Sequence, residues 1–159
     1  MTSVASNQTG ASAKNEADFR NGVMPRAQLS IRACQLALEK TGQGSVKEFA
    51  TFELEEAVAV VAVLQDMGTA SPPAAADGDA FIQQLQGASG TEFDRLFIQA
   101  ELSNHEYLRD LAKDYIRNAK GQSAAAERET QHIATIALFA FDEHVAICKR
   151  IGEEIGLRA

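Results

Sequence analysis

AVAVVAVLQ (residues 57–65) is the one stretch of this chain that reads as a β-strand. Its valines are β-branched and favour extended backbone. The flanking sequence argues otherwise. No glycine or proline interrupts residues 46–67, a run far longer than the roughly 3–10 residues of ordinary strands. Ser45 followed by Glu48 has the spacing of a capping box, and Gly68 supplies a stop. The segment is therefore expected to be a helix over 46–67.

Outward from it, the pattern stays helical. A first helix is expected over 25–41, with Pro25 in its first turn and Gly42 at its exit. Residues 69–79 (TASPPAAADGD) form a crossover loop, with a short helix over 80–86 in the same connection. A third long helix is expected over 92–119, opened by Thr91 and Asp94, and a fourth over 124–155. Two antiparallel pairs joined by a connection of about 20 residues make an all-α four-helix bundle with one long crossover, the ferritin-like connectivity. Residues 1–23 are polar, small and aperiodic, and are expected to form an N-terminal tail. That leaves 24–159 as the bundle domain. The tail is expected to dock on its own domain or on a neighbouring subunit, so self-association through residues 1–23 is the expected partner contact.

The composition removes several function classes. Lys and Arg total 15 against 22 Asp and Glu, a net charge of −7 in 159 residues, which is not the footprint of a nucleic-acid binder. No apolar run reaches the length of a transmembrane helix. Two cysteines, Cys34 and Cys148, make neither a disulfide framework nor a cysteine zinc site, and read as small core residues. There is no glycine-rich phosphate loop and no nucleophile–base–acid set for a hydrolase. No apolar stretch follows a basic start, so a cytoplasmic location is expected.

Helical periodicity then picks out polar residues on apolar faces. In the second helix Phe49, Phe52, Val60, Val63, Leu64 and Met67 share a stripe that also holds Glu53 and Glu56. In the third, Glu101 and His105 fall on the stripe of Phe93, Phe97, Leu108, Leu111 and Tyr115. In the fourth, His144 falls on the stripe of Ile133, Ile136, Ile147, Cys148 and Ile151. Buried carboxylates are costly unless paired, protonated or metal-bound. Counting from the two tight turns brings Glu53, Glu56, Glu101, His105 and His144 to one central layer, with Ser30 level with Glu56. Two readings stay open. Glu101 and His105 are a hydrogen-bonded core pair with His144 structural, or the layer holds iron or manganese, which suit oxygen and imidazole donors. A third class is haem or a small ligand held by His105 or His144. Glu129 and His132 have Glu-x-x-His spacing but lie on the flank and read as a solvated pair. The di-iron bundle pattern, with Glu-x-x-His on two helices, is not present.

LALEKTGQGSVKEFA (36–50), FDRLFIQAELSNH (93–105) and LFAFDEH (138–144) together resemble a bacterial ferritin-like family. That family is a domain of unknown function, often labelled a putative exported or outer-membrane protein. The similarity covers about residues 24–155. It implies a ferritin-like bundle and an exported neighbourhood, periplasm or cell surface. The family commonly carries a Glu where this chain has Ser30, Asp-His at Glu56-Ala57, Gln at Glu101 and Pro at Phe139. His105 and His144 are the family's histidines that remain. The expectation is a non-catalytic structural, assembly or partner-binding protein with a degenerate metal site, no catalytic residues and no resident cofactor. The alternative is an iron- or manganese-binding protein with oxidase or stress-protection activity.

Overall fold

The computed structural model describes residues 10–157, and within them the chain is helical with no strand. Its helices are α1 Glu16–Lys40, α2 Gly44–Asp66, α3 Ala76–Gly87, α4 Gly90–Asn118 and α5 Ala125–Glu154. AVAVVAVLQ lies wholly inside α2. Ala57 and Leu64 turn that segment's apolar side inward, while Val58 and Val63 face solvent.

Short turns make α1–α2 and α4–α5 antiparallel hairpins, and these are the most extensive helix contacts in the molecule. The crossover carries the short α3, which lays Ile82 and Leu85 into the core. α1 also runs antiparallel to α4. Thr41 at one end donates to Asp94, and Ala13 at the other donates to Asp114. The long helices thus form an all-α four-helix bundle in the ring order α1, α2, α5, α4.

The first helix begins at Glu16, not at Pro25. Asn15 caps it, its side chain accepting from the Asp18 amide at 2.9 Å. Phe19 and Val23 then bury against Leu111 and Tyr115. Pro25 is tolerated within the helix because it sits on the exposed side, where the carbonyl of exposed Asn21 meets water instead of an amide. Residues 10–15 pack on the chain's own bundle. Ala13 is fully buried, and its carbonyl accepts from Asn118. Residues 1–9 of the expected tail lie outside the described residues.

Other expected caps differ. α2 starts at Gly44 behind Gln43, with no side-chain cap from Ser45. α4 starts behind Ser89, and Asp94 is taken up by Thr41. The short helix extends from Ala76 to Gly87, longer than 80–86.

Two apolar clusters make the core. One holds Val46, Phe49, Phe93, Phe97 and Ile151, and the other Phe19, Leu64, Leu108, Leu111, Tyr115 and Phe141. Between them lies a polar layer of buried Ser30, Glu53, Glu101, His105 and His144. The expected stripes are too wide on one side. Phe52, Val63 and Ile136 are exposed by 57%, 43% and 73%, because α2 and α5 touch each other least among ring neighbours. Clefts between these two helices take the place of a closed seam.

Candidate metal centre

All four long helices contribute to the polar layer between the two apolar clusters. Ser30 is on α1, Glu53 on α2, Glu101 and His105 on α4, and His144 on α5. Glu101 and His105 lie one turn apart on the buried face of α4. Phe49 stands edge-on to both imidazoles, with centroids 6.2 Å from His105 and 5.4 Å from His144. The layer is therefore walled by hydrocarbon, which raises the cost of any unbalanced charge.

Three donor atoms meet at its centre. Glu53 Oε2 lies 2.9 Å from His144 Nδ1 and 3.2 Å from His105 Nε2, and the two nitrogens are 3.0 Å apart. The remaining polar atom of each residue is held from outside. His105 Nδ1 donates to the Glu101 carbonyl at 2.8 Å, and a carbonyl can only accept. His144 Nε2 faces the Glu56 carboxylate at 3.1 Å. Glu53 Oε1 accepts from the Ser30 hydroxyl at 2.6 Å.

These outer contacts fix the protons. With Nδ1–H on His105 and Nε2–H on His144, two neutral imidazoles aim lone pairs at the point where the Glu53 oxygen aims its own. Three converging lone pairs need a cation among them. A proton serves two of the three at a time, whereas a metal ion serves all. The outer partners are those that orient metal-bound histidines elsewhere: a carbonyl on one ring and a carboxylate on the other. The spacing also matches adjacent corners of an octahedron, about 3.0 Å for metal–ligand bonds near 2.1 Å.

In the metal-free chain a proton on His105 supplies that cation. Burial alone would lower His105, but its bond to Glu53 and the charges of Glu53 and Glu101 raise it to about 9. Burial would raise Glu53, but both imidazoles and Ser30 hold it below the usual carboxylate range. Glu101 moves the other way, raised by burial and by the charge of Glu53. Ser30 Oγ lies 3.0 and 3.1 Å from the two Glu101 oxygens while its own proton goes to Glu53. A protonated Glu101 that donates to Ser30 satisfies all three groups.

Of the five expected site residues, then, Glu53, His105 and His144 converge. Glu56 is half-exposed and touches the outer nitrogen of His144. Glu101 contributes its backbone carbonyl to His105, its carboxylate being 3.6 Å from Nδ1, so the expected carboxylate–imidazole pair is replaced by a main-chain bond. The two rings stand edge to face with centroids 4.7 Å apart, which leaves no gap for a haem between them. Glu129 and His132 are both exposed, and both cysteines are fully buried. Burial and the charges of Glu101 and Glu53 push both thiols up.

The chain matches the family described as a domain of unknown function (DUF4142) over residues 1–146. It belongs to that family. The matched DUF4142 region contains all three converging residues as well as Ser30, Glu56 and Glu101. Neither the curated proteins nor the solved structures gave a match to the chain.

Proposed function

We propose that this protein binds one divalent transition-metal ion through Glu53, His105 and His144. The observation that carries this reading is the convergence of three lone-pair donors whose outer atoms are each already engaged. Two imidazoles and one carboxylate, with coordination positions left over, form the donor set typical of non-haem iron(II) sites, and manganese(II) suits the same donors. The bound ion would tie α2, α4 and α5 together, and α1 through Ser30. The ferritin-like label belongs to the same reading, supported by the single crossover and by a site built inside the bundle.

Titration of metal-free protein with iron(II) under anaerobic conditions, and with manganese(II), tests this. A one-to-one end point is expected, with protons released because His105 must give up its extra proton. No saturable binding of either ion contradicts the reading.

The exposed apolar residues support a second role, self-association. Phe52 and Val63 on α2 line the clefts toward α5, and Ile136 and Phe139 are exposed by 73% and 75% on α5. Apolar surface of this kind marks contact sites. A dimer in sedimentation analysis that dissociates in Phe52→Ser/Phe139→Ser is expected, and a monomeric parent rules this role out.

A further inference from the structure

The three converging residues are not equally enclosed. A cleft of about 190 Å³ between α2 and α5 has Glu48, Phe49, Phe52, Glu143, His144 and Arg150 in its lining. His144 is the converging residue that this cleft reaches. The imidazole stands between it and the centre, with Nδ1 turned inward to Glu53 and Nε2 toward half-exposed Glu56. The opposite side of the layer is sealed by the α1–α4 seam, where Ser30 and Glu101 are nearly inaccessible.

We infer that a divalent cation enters the centre through this α2–α5 cleft, steered by Glu48 and Glu143 and opposed by Arg150. The inference rests on the metal-binding reading and adds its route. All three side chains are exposed on the cleft lining. A dication feels a charge a few ångströms away even in water, and that attraction acts on the rate of encounter. Glu56 lies next along the path, on the His144 nitrogen that faces outward. His144 is then the first donor met, and Glu53 and His105 complete the set behind it.

The charges at the mouth make the route testable, because they differ in sign. Stopped-flow loading of the full chain with cobalt(II), followed by its visible absorption, reads the rate directly. At low salt Glu48→Gln and Glu143→Gln are each expected to slow loading about three-fold, and Arg150→Gln to speed it by a similar factor. Added salt should collapse all three differences. Glu129→Gln changes the net charge equally but lies in the other α2–α5 cleft, with Val63, Asp66 and His132, and should load at the parent's rate. Equal rates in the parent and the three mouth variants, with cobalt bound in each, overturn the route alone. So does a Glu129→Gln that slows loading as much as Glu48→Gln, since net charge then explains the effect. A parent that takes up no cobalt(II) removes the metal-binding reading and the route with it.

Discussion

Two of the buried carboxylates, Glu127 and Glu53, are accommodated in two different ways. Glu127, near one end, accepts from the Tyr115 hydroxyl at 2.8 Å and from the Glu16 amide at 3.2 Å. Both donors are neutral, and Phe19 stacks on the tyrosine ring at 5.1 Å. Burial and the bond to Glu127 raise the Tyr115 phenol, so the proton stays on the tyrosine. That layer is complete as it stands, apart from the Thr130 hydroxyl, which is buried near the Tyr115 hydroxyl without a hydrogen bond of good geometry. Glu53, in the middle, has one neutral donor, Ser30, and otherwise faces two imidazole nitrogens that face each other. The first layer is finished by hydrogen bonds. The second is finished by a cation, proton or metal.

Removing the central carboxylate should separate the two layers most sharply. Glu53→Ala removes the buried carboxylate that faces both imidazoles, leaving half-exposed Glu56 on the outer side of His144, and is expected to destabilise the metal-free protein by about 3 kcal/mol in denaturant unfolding. A loss below about 1 kcal/mol would mean that the layer balances without Glu53. The pH dependence has a definite sign. His105 is raised from 6.5 to about 9, so its proton stabilises the metal-free fold below 6.5, and this contribution is lost as pH rises through 9. Metal binding requires that proton to leave, so metal affinity should strengthen over the same interval. Melting curves with chelator and with manganese(II) should therefore diverge as pH rises. Parallel curves would break the distinction between the layers.

The end layer should respond only in stability. Tyr115→Phe leaves Glu127 short of a donor, and is expected to cost about 1–2 kcal/mol with metal affinity unchanged. Thr130→Val removes a hydroxyl that makes no hydrogen bond of good geometry, and should be neutral or stabilising by under about 1 kcal/mol. A clear destabilisation by that change would show that the hydroxyl has a partner after all.

Much of this was legible in the sequence, for identifiable reasons. The four long helices follow from periodicity and glycine stops. Glu53, Glu101, His105 and His144 stood out because a charge on an apolar stripe breaks the pattern. The early start of α1 is hidden by Pro25, which imitates a first-turn proline, although Asn15 followed by Asp18 carries a capping signal. Periodicity points Phe52, Val63 and Ile136 inward because it gives a face's direction and not whether a neighbour covers it. Which of the polar residues converge was not legible at all. Glu101 shares its stripe with His105, yet only their backbone and ring meet closely. That choice depends on rotamers and on helix rotation across the crossover, which no spacing along one helix records.

Elemental analysis of purified protein from cells grown with excess iron and manganese tests the central claim most directly, with the His105→Ala/His144→Ala variant beside it. The account predicts about one metal ion per chain in the parent and under about one-tenth in the variant. A parent holding under about one-tenth, or a variant holding as much as the parent, would contradict it.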